Sequence, residues 1–188
     1  MVVKRGVDCL LEGTNANGRD LFEELAKLDW DSKAFMYGRV VNKHARHNLC
    51  FDEEGQVPDY ESGKGRVVAW TDAPLLREVR NQLSNFISKG SELAAEGNYY
   101  YDVNKCGIGF HGDAERKKVI ALRVCSGKCH PLHYQWFHNG NPIGKRAVIE
   151  LEDRDLYVMS EKTVGTDWKK KLVPTLRHAT GTEKFTKI

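Results

Sequence analysis

The apolar positions of the chain follow two different periods, one in each half. From Gly18 to Trp30, Leu21, Phe22, Leu25 and Leu28 fall at i, i+1, i+4 and i+7, with Asp20, Glu23 and Glu24 in the early turns. A 3.6-residue period with acids at its start predicts an amphipathic helix. Arg66 to Trp70 is strand-like, and a second helix is predicted after it. Asp72 suits an N-cap and Pro74 the first turn, while Leu75, Leu76, Val79, Leu83, Phe86 and Ile87 keep the helical period until Gly90. Phe35 to Val41 reads as extended. The first sixteen residues read as a weakly patterned extension, and Asn42 to Arg66 as a long polar loop of the sort that carries function.

From Asn98 onward the period shortens to that of strands. Strands are predicted at Asn98 to Val103, Ile108 to Asp113, Lys117 to Val124, His133 to Phe137, Arg146 to Leu151, Leu156 to Ser160, Thr175 to Thr180 and Lys184 to Ile188. Turn residues such as Asn139-Gly140-Asn141-Pro142 separate them. A run of short strands of this kind predicts a double-sheet jelly roll. The expected class is α+β, with a jelly-roll (double-stranded β-helix) core over residues 98–188. Residues 1–97 are expected to supply an extension, helices and substrate lid loops to one integrated domain.

Composition changes this picture little. Hydrophobic residues make up 40% and charged residues 29% of the 188, the balance of an ordinary globular domain, and no stretch approaches the roughly 18 apolar residues of a membrane span. The start, Met-Val-Val-Lys-Arg-Gly-Val-Asp, lacks an apolar h-region, so an intracellular protein, cytoplasmic or nuclear, is expected rather than a secreted one. Five scattered cysteines predict free thiols in a reducing compartment. A net charge of +3 permits a polyanionic partner without demanding one. A monomer is expected.

The candidate chemistry centres on Ile108-Gly-Phe-His111-Gly-Asp113-Ala-Glu115. Residues i and i+2 of a strand share a face, so His111 and Asp113 are placed to grip one metal ion. A third ligand is expected from a late strand facing them, and His178 is the histidine that lies downstream of position 138. Two imidazoles and one carboxylate form the ligand set of non-haem Fe(II) oxygenases. Competing motifs are weaker. Cys125-Ser-Gly-Lys-Cys129-His130 with His133 lacks the paired spacing of a zinc module, and the polar surroundings of His44 and His47 point to a surface role. The chain has no GxSxG nucleophile elbow and no Rossmann or P-loop glycine pattern.

Asn98-X-Tyr100 followed by Ile108-Gly-X-His111-X-Asp113-X-Glu115 resembles the signature of the AlkB-like Fe(II) and 2-oxoglutarate dioxygenases. Tyr37-Gly-Arg39, Ala45-Arg46 and the stretch from Trp70 to Ile87 resemble that family's lid and helix, with Ala45 where a Pro is usual. The resemblance implies a jelly-roll enzyme with His111, Asp113 and His178 as the iron triad and O2 and 2-oxoglutarate as cosubstrates. It implies that Asn98 and Tyr100 contact 2-oxoglutarate. The family's closing Arg-rich strand is replaced here by Lys184 and Lys187, the first and second choices for holding the distal carboxylate. Tyr37, Arg39, Arg46, Trp70 and Glu115 are the implied substrate contacts.

Three functional readings follow. The first is oxidation of a modified nucleobase in DNA or RNA, with Arg39, Lys43, Arg46, Lys64 and Arg66 near phosphates and Tyr37, Phe51 and Trp70 as stacking aromatics. The second keeps the iron chemistry but directs it to a protein side chain or small metabolite. The third is a non-enzymatic jelly-roll binding module.

Overall fold

A computed structural model describes residues 1–188 as a mixed α/β fold, mostly β-sheet with few helices. In chain order its elements begin with β1 (Val2–Val3), α1 (Gly6–Leu10), α2 (Gly18–Ala26), β2 (Lys33–Met36), β3 (Arg39–Asn42), β4 (His47–Asp52) and β5 (Val67–Ala69). They continue with α3 (Pro74–Leu83), β6 (Ala95–Tyr99), β7 (Gly107–His111), β8 (Val119–Leu122), β9 (Leu132–His138) and β10 (Asn141–Ile149). The last four are β11 (Leu156–Met159), α4 (Glu161–Val164), β12 (Thr175–Gly181) and α5 (Glu183–Thr186). No helix is long and apolar enough to cross a membrane. The chain divides into two units, Val7–Tyr101 and the combination of Met1–Gly6 with Asp102–Ile188.

In Val7–Tyr101, β4 is the centre of a sheet ordered β5-β4-β6, parallel to β5 and antiparallel to β6. This strand lies inside the stretch expected to be a loop. In His47-Asn-Leu49-Cys-Phe51-Asp the buried Leu49 and Phe51 alternate with exposed Cys50 and Asp52, and the polar neighbours of the strand hide so short a signal. Leu49, Phe51, Val68, Trp70 and Ala73 form the buried core, joined by Leu25, Leu28, Trp30 and Leu76. Asn17 and Asp20 close a capping box on α2. The start of α3 differs from expectation: Ala73, not Asp72, occupies its N-cap position and makes no side-chain capping hydrogen bond. The Glu24 carboxylate of α2 instead accepts from Leu75 N at 2.8 Å and Leu76 N at 3.0 Å. The extended stretch at Phe35 is a hairpin, β2–β3, turned by Tyr37 and Gly38 at φ 54° and 76°, as a two-residue type I′ turn requires.

In the other unit two antiparallel sheets, ordered β10-β9-β12-β7 and β1-β11-β8, share one core of Leu132, Tyr134, Leu151, Met159, Val164 and Leu176. The Asn139-Gly140 turn, at φ 49° and 81°, joins β9 to β10, so Pro142 sits on an edge strand where its missing N–H costs no ladder bond. The first residues are not a loose extension. β1 pairs with β11, and the buried Asp155 carboxylate accepts from Lys4 Nζ, Arg5 N and Glu152 N at 2.9, 3.1 and 2.9 Å.

Three further expectations need correction. The strand predicted at Asn98 to Val103 is β6, which ends at Tyr99 and pairs with β4. The strand predicted at Lys184 to Ile188 is the helical turn α5. Gly181, at φ 124°, turns the chain off the sheet, and Phe185 packs where a side chain at Gly107 would stand, so the alternation of Lys184-Phe-Thr-Lys-Ile misleads. Cys125 and Cys129, at a Cα separation of 6.1 Å, form a disulfide, and Cys9, Cys50 and Cys106 take part in none.

Candidate metal centre

The long strand β12 runs between β9 and β7, and its register sets His178 opposite His111, with the two ring centroids 4.3 Å apart. His111 is the last residue of β7. Asp113 therefore lies beyond the strand, not on it as the i, i+2 argument assumed. Gly112 lets the chain turn back, since a Cβ there would overlap the Gly165 carbonyl, and the Asp113 amide donates to Val164 O at 3.1 Å. The carboxylate is thus held by backbone as well as by sequence.

The three side chains converge, each offering one ligand atom and all within 4.8 Å of one another. Asp113 Oδ1 is 3.8 Å from His111 Nε2, and Asp113 Oδ2 is 4.0 Å from His178 Nε2. These distances exceed hydrogen-bond range, so neither imidazole neutralises the carboxylate by donating to it. His111 Nδ1 lies 2.8 Å from Gly109 O. A carbonyl can only accept, which fixes the proton on Nδ1 and leaves the Nε2 lone pair toward Asp113. Burial first, and then the charge of His111, pushes His178 down to about 3, so it stays a neutral donor. Arg116 Nη1 stands 3.8 Å from Asp113 Oδ2 and balances part of its charge.

Two imidazoles and one carboxylate that face one another without hydrogen bonding fit a divalent first-row transition ion.

The other expected site residues have their own surroundings. Asn98 Oδ1 accepts from Arg46 Nε at 2.6 Å and Asn48 Nδ2 at 2.7 Å, so Asn98 and Arg46 are brought together on the β4–β6 sheet, with Tyr100 half-buried just past it. Lys184 and Lys187 are exposed on and after α5. That helix packs at the Gly107 end of β7, four residues and therefore about 13 Å along the strand from His111. Lys184 Nζ lies over the Phe185 ring. Glu115 is exposed after the turn, and Lys43 and Lys64 lie on the loop side of β3 and before β5.

Two of the expected stacking aromatics are core residues. Trp70 and Phe51 are 2% and 3% exposed and stack on each other, with the Arg80 guanidinium over the Trp70 ring, so neither offers a face to a ligand. Arg66 is engaged with Asp29 at 2.5 Å. Tyr37 is 91% exposed at the hairpin tip, beside exposed Phe35, Met36, Arg39 and Val40. The Gly109 carbonyl and the Val164 contact were not legible in sequence, because backbone partners leave no residue-type signal.

No protein-family model matches this sequence. The chain is similar to a protein of Acanthamoeba polyphaga mimivirus named uncharacterized protein R156, being 58% identical over 178 residues that span 94% of this chain and 69% of the relative.

Proposed function

The chain belongs to the family of the mimivirus protein R156, and within that family we propose that it works as an AlkB-like Fe(II)- and 2-oxoglutarate-dependent dioxygenase that hydroxylates or oxidatively demethylates a modified nucleobase in DNA or RNA. The observation that supports this most is the convergence of His111, Asp113 and His178 within 4.8 Å, with tautomer and backbone fixed around them. Sheet order supports a jelly-roll reading of the same half. The strands carrying the two histidines are neighbours in β10-β9-β12-β7, and β11 and β8 close the core from the second sheet.

When bound, iron supplies the power to use O2 and the keto acid to oxidise a C–H bond, so an N-methyl carbon would be lost as formaldehyde and a C-methyl carbon would remain as the alcohol. The chain's own part is preparation. Gly109 O keeps the His111 Nε2 lone pair available, burial keeps His178 neutral, and the Val164 carbonyl fixes the loop that carries Asp113. Three protein ligands leave positions open for exchangeable ligands.

The nucleic-acid part of the reading is supported by the β2–β3 hairpin. It interleaves exposed Phe35, Met36, Tyr37 and Val40 with Lys33 and Arg39, the mixture of flat faces and cations that single-stranded nucleic acid takes. Anaerobic addition of Fe(II) and 2-oxoglutarate should give a weak visible charge-transfer band that His111→Ala removes. Succinate formation should then rise with methylated oligonucleotides. Stimulation by peptides or small metabolites and not by oligonucleotides would redirect the chemistry to those substrates, and no band with no succinate would leave a binding module.

A further inference from the structure

Consecutive residues of a strand project to opposite faces, so Phe110 and Arg177, which precede His111 and His178, lie on the far side of the sheet from the metal centre. Gln135 is the register partner of Arg177, which places Phe137, two residues along β9, on that same far side. The rings of Phe110 and Phe137 are 5.7 Å apart. Two guanidinium groups lie over them, Arg177 over Phe137 at 4.3 Å and Arg146 of β10 over Phe110 at 5.3 Å. Trp168 completes the cluster, its ring 5.5 Å from the Arg177 guanidinium and 5.7 Å from Lys169 Nζ. The cluster meets the metal centre at its edge. A Cβ on Gly112 would stand 2.8 Å from Trp168 Cβ, so Trp168 packs against the residue that separates His111 from Asp113.

The charge of this cluster is unbalanced. The Arg177 guanidinium makes one hydrogen bond, from Nη2 to the Trp168 carbonyl at 3.3 Å, its Nε is buried without a partner, and neither Arg177 nor Arg146 forms an ion pair. Burial pushes the Arg177 pKa below its ordinary value. Asp167, the carboxylate next to Trp168 in the chain, is already held by Lys162 Nζ at 2.9 Å. A guanidinium whose flat face rests on a ring keeps its N–H edge for acceptors in its own plane, and a half-buried cation without a counter-charge is stabilised by an anion there. That edge matches two oxygens of a phosphate. Arg146, Arg177 and Lys169, followed by exposed Lys170 and Lys171, carry more positive charge than one small anion balances. Half-buried Phe110 and Trp168 between these cations suit a chain that alternates phosphates with flat bases.

We propose that Trp168, Lys169, Arg177 and Arg146 form a track for the sugar–phosphate backbone of a single-stranded nucleic acid, which passes the Gly112 turn with phosphate oxygens on the Arg177 edge. The track rests on the nucleic-acid reading of the substrate and adds to it the face of the sheet opposite the histidines. Its residues come from β10, β12 and the loop before β12, and their placement follows from the same register that brings His178 to His111.

Fluorescence anisotropy of the full chain with a labelled single-stranded oligothymidylate, over a series of salt concentrations, tests this without turnover. Arg177→Gln and Lys169→Ala should each lower the magnitude of the slope of log K against log salt by roughly 0.7, the loss of one phosphate contact. Arg177→Lys should keep the slope, because the charge remains, and weaken binding a few-fold at every salt concentration, because the two-donor edge is lost. A purely structural Arg177 would leave the slope where it is. Wild-type slopes in Arg177→Gln, Lys169→Ala and Arg146→Gln alike overturn the track and leave the nucleic-acid reading intact. Absence of oligonucleotide binding by the wild type overturns both. Inorganic phosphate, titrated calorimetrically, checks for a small-anion site: phosphate binding that Arg177→Gln removes while the oligonucleotide slopes stay unchanged also overturns the track. If Arg177→Gln does not fold, the exposed positions Lys169→Ala and Arg146→Gln decide the matter alone.

Discussion

His178 stands directly across the antiparallel ladder from His111, with the two rings 4.3 Å apart and Asp113 turned back toward both. Two imidazoles this close in a half-buried site repel when charged, and burial already favours the neutral form of His178. A divalent cation relieves the remaining imbalance, the negative charge of Asp113, so the folded state should bind metal and the unfolded chain should not. Addition of Mn(II) at about 100 times its dissociation constant is expected to stabilise the fold by about 2.7 kcal/mol. Over a chain of this size that is a rise in Tm of roughly 5–10 °C. Differential scanning fluorimetry checks it, and Asp113→Asn should abolish the shift; an equal shift in that variant would place the ion elsewhere.

Gly112 makes the return of Asp113 possible, because a side chain there would run into the Gly165 carbonyl. Gly112→Ala should move the Asp113 carboxylate away from the imidazoles and weaken Mn(II) binding by at least about tenfold. The far-UV circular dichroism spectrum should be unchanged, since the residue lies outside β7. Metal affinity equal to that of the wild type would show that the loop absorbs the methyl group.

How much of this was legible in sequence depended on the range of the interaction. The His111-X-Asp113 spacing is local, and it named two side chains that converge even though Asp113 proved to lie beyond its strand. His178 was found because the later chain offers so few imidazoles. α2 and α3 were readable from their 3.6 periods, but the cap of α3 was not, since it comes from Glu24 on another helix. Trp70 looked like an exposed stacking group because aromatic residues are ambiguous between core and surface; Phe51 and Arg80 enclose it. β4 and α5 were misread for opposite reasons. β4 is a true period-2 strand among polar residues, whereas α5 has an alternating sequence that Gly181 turns off the sheet and Phe185 pins over Gly107.

The Asp155 carboxylate ties β1 to the rest of its unit. Burial alone would raise its pKa, but the Glu152 amide, Lys4 and the Arg5 amide outweigh burial and hold it below the usual carboxylate value. A depressed folded-state pKa means the unfolded chain takes up the proton first. The stabilisation is therefore fully present above the unfolded value near 4 and is lost as pH falls through the folded value. Urea midpoints of the metal-free protein should decline more steeply below pH 4 than those of Asp155→Asn. At pH 7 that variant should be less stable by roughly 1–3 kcal/mol, since the Arg5 and Glu152 amides keep only weaker, uncharged partners. Parallel pH profiles for the two proteins would contradict the assignment.

The β2–β3 hairpin carries its aromatic residue at a tip that no core contact explains. Tyr37 adopts φ 54° and is 91% exposed, with Arg39 two residues on. If this hairpin meets nucleic acid, the two residues should contribute in different ways. Tyr37→Ala should remove a stacking face, weakening a single-stranded oligonucleotide by about 1–3 kcal/mol at every salt concentration. Arg39→Ala should remove one phosphate contact, lowering the magnitude of the slope of log K against log salt by roughly 0.7. Fluorescence anisotropy across a salt series separates the two effects. The hairpin has no role in binding if both variants follow the wild-type line; Tyr37 would then be a surface residue of a type I′ turn, where Asn or Gly would serve as well.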